Sequence, residues 1–372
     1  MRPPRSRRDI GGPSMGRAVE RVFAASRAIG ETGMVAVANP GNGKSIADAS
    51  PCARVDVDFS KALQECLDQV GPGRVATCGA IARALGDIRA ARSVATWLNT
   101  HPDTAGSHRV VRADGRPVLV SASSELEREG FQLVRGRVSS GRILDVLQPV
   151  GLLTTLRDEQ RKLSDRVVEL DTGRQFERIA GVDAGYDGDA MYVVAACVDL
   201  KDLNPIDIAA VRHHVDFPYI PTYLAYREFP GIEAAVRRLN QRPDVLLVDG
   251  HGRLHPALFG IACYVGVRLD LPTIGVAKHP LVGRVTKRGH SPSGVTAIEF
   301  RGQVRGYAWT PPGCERPNFV SVGHRISLDR ALEVVRASTL RRYPEPLKIA
   351  DRIGREMKRN KRNEKREKGA TR

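Results

Sequence analysis

The sequence predicts an α/β protein: a three-strand meander followed by alternating helix and strand, preceded by a small helical domain. Three observations carry that expectation. Three apolar runs, RIAGVDAGY, AMYVVAACVDL and DIAAVRHHV, follow one another between residues 178 and 215. The first two are joined by Asp187-Gly188-Asp189, a hairpin signal. Spacing then switches between helix and strand. Ile232, Ala235, Val236 and Leu239 share one helix face, and the strand DVLLVDG follows. Leu258, Ile261, Ala262, Val265 and Leu269 mark a second helix, and the strand PTIGVAK follows that. Ahead of all this, three sets fall at helical spacing: Leu63, Cys66, Leu67 and Val70; Ile81, Ala84, Leu85 and Ile88; Ala91, Val94, Ala95 and Leu98.

A meander followed by β/α units is the plan of an RNase H-like fold. Later strands are TAIEFRGQVRGYAWT and NFVSVGH, and a helix from Leu328 to about Leu340 closes the domain. Residues 1–57 carry Arg, Gly, Pro and Ala with weak periodicity and are expected to be flexible. The helical domain takes 58–140, a linker 141–150, and the larger α/β domain 151–345, opened by the helical GLLTTLRDEQRKLSDRVVEL. Residues 346–372 are expected to form a solvated basic tail; Arg355 to Arg372 hold nine basic and three acidic residues.

In the first domain, Gly71-Pro72-Gly73 and Gly86-Asp87 separate three short helices. Two helices joined by a tight turn predict a winged helix-turn-helix-like unit. With its apolar face buried, the third helix is expected to present Arg89, Arg92, Ser93 and Thr96 outward, toward DNA.

The chain has 372 residues, 58 basic and 42 acidic, for a formal charge of +16. Such a balance points to a polyanionic partner, usually nucleic acid. No apolar run reaches the ~20 residues needed to span a bilayer, so no membrane partner is expected. The basic start MRPPRSRRDIGG lacks the apolar segment of a secretion signal, and a cytoplasmic monomer is expected. Six scattered cysteines, with no short pairing, argue against zinc and against a disulfide scaffold.

Asp183 and Asp249 each close an apolar strand, and Glu228 lies between them in PYIPTYLAYRE. Carboxylates are costly inside a sheet and are kept where water or a cation neutralises them. Gathered at one sheet end they would repel one another. A hard divalent cation removes that repulsion, and oxygen ligands favour Mg2+, with Mn2+ as substitute. Residue chemistry alone therefore reaches a metal-dependent nucleic-acid enzyme. Lys278 ends PTIGVAK and is placed to stabilise developing phosphate charge, or is simply an exposed strand end. His255 either contacts a phosphate or caps a helix.

VDAGYDGD, FPYIPTYLAYREFP, PDVLLVDGHGRLHP, LPTIGVAKHPLVG and SVGHR come in that order. Over about residues 148–345 this set resembles endonuclease V, the repair nuclease that cuts DNA near deaminated adenine. The resemblance implies a hydrolase that cuts one phosphodiester beyond deoxyinosine on its 3′ side. It implies metal ligation by Asp183, Asp249 and Glu228, with Lys278 and His324 in the catalytic set. Tyr219, Ile220, Pro221 and Leu224 would form a wedge and pocket edge, on a turn stiffened by prolines. Gly250, Gly260 and Ile261 would line the pocket, with backbone amides near Gly250 or Gly260 reading the hypoxanthine oxygen. The family's Gly after PYIP is Thr222 here, which adds bulk. DNA is the implied partner. Inosine-containing RNA is the alternative substrate, and a non-catalytic lesion binder is the alternative class.

GRVATCGAIARALGDIRAARSVATWLNTHP followed by SHRVV resembles the DNA-binding domain of alkylguanine alkyltransferases, over about residues 58–140. The resemblance implies DNA contact by Arg89, Arg92, Ser93 and His108, with Arg92 entering the stack in place of a flipped base. The family's reactive cysteine is Ser107 here. A hydroxyl is a poor alkyl acceptor, so binding without alkyl transfer is expected.

Overall fold

The structure, a computed structural model, describes residues 55–171, 173–286 and 294–370. The segment 1–57, expected to be flexible, lies outside the described residues but for its last three.

In the first module, α1 (Phe59–Leu67) begins at Asp58, whose carboxylate accepts the Lys61 N–H at 2.8 Å. After β1 (Val75–Thr77), Thr77 caps α2 (Cys78–Leu85) by accepting the Ala80 N–H at 3.0 Å. Gly86 ends α2 in the left-handed conformation, at φ 107°. Then come α3 (Ala91–Thr100), β2 (Val110–Val111), α4 (Ala122–Arg128), β3 (Ile143–Leu144) and α5 (Leu152–Ser164). Three helices stand where helical spacing placed them. The short strands add a parallel sheet in the order β2-β1-β3. Strands of two or three residues are too short to show alternation in the sequence.

The second part is one mixed sheet. A meander of β4 (Arg178–Asp187), β5 (Ala190–Asp199) and β6 (Pro205–His214) opens it. Helix α6 (Leu224–Arg237), β7 (Val245–Asp249), α7 (Ile261–Leu269) and β8 (Thr273–Ala277) follow. Then come β9 (Arg284–Val285), β10 (Val295–Phe300), β11 (Gln303–Trp309), β12 (Asn318–His324), α8 (Leu328–Ala337) and α9 (Glu345–Ala370). Among the described residues the order is β6-β5-β4-β7-β8-β12-β11-β10-β9. β7 is parallel to β4 and β8, and β12 runs antiparallel to β8. The meander next to parallel β/α strands is the arrangement expected from the pattern of apolar runs.

The expected tail is instead the helix α9. Its Leu347, Ile349, Ala350, Ile353 and Met357 join the core cluster that includes Val194 and Val245. Burying a side chain of this size is worth about 1.5–3 kcal/mol, which outweighs the solvation of the charges on the other face. The approach is close: a Cβ on Gly181 would come within 2.5 Å of the Leu347 amide nitrogen.

Compactness divides the chain at other places than the expected linker. One unit holds Leu163–His214 and Glu228–Arg372. The other holds the first module up to Lys162 together with Val215–Arg227. The PYIP segment thus belongs with the first module rather than with the large sheet. No helix among the described residues is long and apolar enough to cross a membrane.

Candidate active site

The large sheet brings Asp183 and Asp249 together by register. Val182 pairs with Val248 across parallel β4 and β7, so the next residues stand side by side. Asp249 ends β7 as expected. Asp183 does not end β4, which runs on to Asp187 in the hairpin with β5. It stands instead where its parallel neighbour stops. Burial pushes the Asp183 carboxyl far above the usual carboxylate range. The Asp249 and Asp351 charges add to the rise, Lys278 opposes it, and a hydrogen bond with Asp249 helps hold the proton.

Lys278 Nζ donates to Asp249 Oδ2 at 2.7 Å. Burial works against its charge, but that hydrogen bond and three carboxylates raise its pKa. The Tyr343 hydroxyl donates toward Asp249 Oδ1 at 3.0 Å and the Val276 carbonyl at 2.9 Å. Burial, then Asp249, holds the Tyr343 phenol far above its ordinary pKa, so it stays a donor.

Asp351 is a residue the sequence reasoning missed. It lies on α9, paired with Arg355 one turn on, and its charge acts on Asp183, Lys278 and Tyr343. Its signal was present: an acid four residues after Leu347, on the stripe that helical spacing assigns to the apolar face.

Glu228 sits apart. It is buried on α6, and Tyr186 Oη donates to its Oε1 at 2.7 Å. Side chains alternate along β4. Gly181 and Gly185 face α9, where a Cβ would meet Leu347 and Lys358. Asp183 shares that face. Residues 184 and 186 pair with Val193 and Met191, which stand against Gly231 of α6. Glu228 therefore belongs to the α6 side. Among the described residues no three His, Cys, Asp or Glu side chains stand at the spacing of a finished ligand set. The chemistry of the donors still fits a hard divalent cation. Hard oxygens converge beside one lysine, and one of them is driven toward protonation by its neighbours' charge.

His324 corrects an expectation. It pairs with Thr273, at the start of β8, because β12 is antiparallel. Asp249 and Lys278 lie at the other end of those strands. His324 is buried, and its Nδ1 accepts the Val168 N–H at 3.3 Å. Burial, then Arg325, pushes its pKa down to about 4. It is a structural residue here.

The pocket residues are also partly committed. The Gly250 amide donates to the Val276 carbonyl at 3.1 Å, and the Gly260 amide to the Gly252 carbonyl at 3.0 Å. Gly250 is glycine by necessity: its φ is 156°, and a Cβ would lie 2.5 Å from Ile261 Cγ2. His255 is buried, and its Nδ1 accepts the Ala257 N–H at 3.2 Å, a turn-capping role.

In the other unit, Tyr219 is 61% exposed, Pro221 is exposed and Leu224 is half-buried, whereas Ile220 is fully buried. The expected two-residue tip is thus one exposed ring on a buried anchor. Arg92 is exposed as expected. Ser93 is buried instead, and donates to the Tyr219 carbonyl at 2.6 Å. Arg89 grips Asp87, with Nη2 2.6 Å from Oδ2. His108 lies between Glu125 at 3.0 Å and Glu129 at 2.9 Å. Ser107 is buried and donates to the Pro102 carbonyl at 2.8 Å.

The family model described as Endonuclease V matches residues 161–352, just over half of the chain. The chain belongs to the endonuclease V family. A curated endonuclease V from Thermofilum pendens is 44% identical over 201 residues, 53% of this chain and 85% of the relative. The crystal structure of endonuclease V from Streptomyces avermitilis aligns with TM-score 0.53 and 34% identity, over 56% of this chain and 93% of the other. Endonuclease V from Ciona intestinalis, in complex with a 24mer DNA containing an inosine followed by a ribo-adenosine, aligns with TM-score 0.53 and 26% identity, over 56% of this chain and 98% of the other. Membership makes the chain a phosphodiester-hydrolysing endonuclease. A second model, the DNA-binding domain of 6-O-methylguanine DNA methyltransferase, matches residues 58–133. The chain thus joins an endonuclease V fold to an alkyltransferase-type DNA-binding domain.

Proposed function

We propose that this endonuclease V acts on deaminated adenine in DNA and cuts a phosphodiester on its 3′ side with a divalent cation. The observation that carries the reading is the meeting of Asp183 and Asp249 beside Lys278, in a chain of formal charge +16. Asp183 and Asp249 would hold the ion, with Asp351 on the same side. Glu228, held by Tyr186, would join directly or through water. When bound, Mg2+ or Mn2+ lowers the pKa of water and neutralises charge on the phosphate. Lys278 orients Asp249 in its absence and faces the scissile phosphate in the working complex. Its ammonium offsets charge that builds in the transition state. Tyr343 and Lys278 together fix the plane of the Asp249 carboxylate.

The exposed ring of Tyr219 fills the gap left by an extruded base. Its proline neighbours and the buried Ile220 keep the ring from collapsing onto the protein. The alkyltransferase-type module binds DNA without accepting an alkyl group, since Ser107 is buried and its hydroxyl is already donated.

The test is a duplex with one deoxyinosine, beside matched inosine RNA and an inosine-free duplex. The reading expects one nick per lesion strand, 3′ to inosine, needing Mg2+ or Mn2+. Faster cleavage of the RNA would move the substrate class to inosine-containing RNA, a choice supported by the ribo-adenosine next to inosine in the Ciona complex. No cleavage of any of the three would overturn the proposal.

A further inference from the structure

Residues 215–227 are folded into the unit of the first module, and side chains of that module set their backbone. Ser93, buried on α3, donates to the Tyr219 carbonyl at 2.6 Å. Gln160 on α5 donates from Nε2 to the Thr222 carbonyl at 2.8 Å. The buried Tyr223 hydroxyl donates to Asp87 Oδ2 at 2.9 Å and accepts from Arg157 Nη2 at 2.9 Å. Phe217 packs edge-on against Phe59, with ring centres 5.9 Å apart. Between these anchors the chain makes a turn it would not adopt freely. Thr222 has φ 75°, a left-handed conformation that is strained for a β-branched residue.

Such strain persists only where the surroundings over-determine it. Here every anchor but Ile220 is paired with a residue outside the segment, and the one large side chain left exposed is Tyr219. We infer that the alkyltransferase-type module is the seat that positions the lesion-reading loop of the nuclease, and that Ser93 is the positioning residue for Tyr219. This rests on the proposed role of Tyr219 and goes beyond a module that merely adds DNA affinity. The Ser93 hydroxyl fixes the carbonyl of the residue whose ring is presented. Losing it releases that carbonyl and lets the ring wander. The module then sets how well the loop finds an extruded base, not how fast the bond breaks.

The experiment uses the full chain with Ser93→Ala and Ser93→Thr. Amide hydrogen exchange of peptides within 215–227 is read alongside nicking of an inosine duplex. Ser93→Ala is expected to speed exchange of this segment about tenfold, the size expected for the loss of one hydrogen bond. It should raise KM by a similar factor and change kcat less than about twofold. Ser93→Thr, which keeps the hydroxyl, should restore both. Unchanged exchange in Ser93→Ala overturns the inference. So does faster exchange with unchanged KM, or an equal fall in kcat. If Ser93→Ala does not fold, Tyr223→Phe removes the Asp87 contact and is held to the same outcomes. Absence of inosine nicking by the unaltered chain would sink the substrate reading alone. Exchange would then decide whether the module seats the loop.

Discussion

Lys278 Nζ stands 2.7 Å from Asp249 Oδ2 and 4.9 Å from the centre of the Tyr343 ring. Both charged residues come from the C-terminal ends of adjacent parallel strands, and the lysine is half-exposed. Lys278→Met keeps the stem and removes the charge. Its single-turnover nicking rate is expected to fall about a hundredfold, the usual loss for one preorganised electrostatic contact. DNA affinity should change little. A rate within about threefold of the unaltered chain would make the lysine a partner of Asp249 and nothing more.

The acidic cluster is a source of instability without a cation. Asp183 feels burial first, then Asp249 and Asp351. In metal-free protein, Asp183→Asn should raise Tm by a few degrees, since it removes a buried charge conflict. The unaltered chain should gain Tm in millimolar Mg2+ or Mn2+, by mass action on the folded state. Asp183→Asn should not gain. Asp351→Asn should lose part of the gain. Differential scanning calorimetry with and without cation reads all three. An equal cation shift in every variant would place ion binding elsewhere.

Thr222 carries a side chain at φ 75°. Glycine adopts this region freely. Thr222→Gly is expected to stabilise the protein by about 1 kcal/mol, less the extra entropy of the unfolded chain, and so to raise Tm by about 2–4 °C. A fall in Tm would mean that the threonine side chain does more for the loop than its backbone costs.

Acid stability has a named contributor in the first module. The Arg109 side chain, helped by His108 and the Gly73 amide and opposed by burial, holds the Glu129 carboxyl down at about 2, from an ordinary value of 4.5. A depressed folded pKa means stability that is complete above pH 4.5 and lost as pH falls toward 2. Glu129→Gln should therefore lower Tm at pH 7 and flatten the fall of Tm between pH 4.5 and 2. Parallel acid limbs for the two proteins would remove Glu129 from this role.

How much of this was legible in the sequence depended on the range of the signal. Apolar runs gave the meander and the β/α alternation, because period and length are local properties. Asp183 and Asp249 were legible as carboxylates next to apolar strand residues. Their meeting needed parallel register, which strand length and order made a fair inference. His324 failed on direction: nothing in VSVGHR tells that β12 runs against β8, which carries the histidine to the far end. Asp351 failed on weight, because an acid in a basic helix reads as solvated until its stripe is set against Leu347 and Ile353. Ser93 failed for a related reason. Its helix was read with one buried face, and a second neighbour, the segment around Tyr219, covers another. The expected tail failed because charge outnumbers apolar residues in α9, although five apolar residues suffice to dock it.

Asp183 and Asp249 are proposed to act together in cutting DNA beside deoxyinosine. This is tested most directly by nicking a duplex with one deoxyinosine, product ends mapped, using the unaltered chain, Asp183→Ala and Asp249→Ala. The unaltered chain should make one cation-dependent nick on the 3′ side of the lesion. Each variant should fall at least about a thousandfold in rate while still binding the duplex. Cleavage that persists in both variants, or that ignores the inosine, would contradict it.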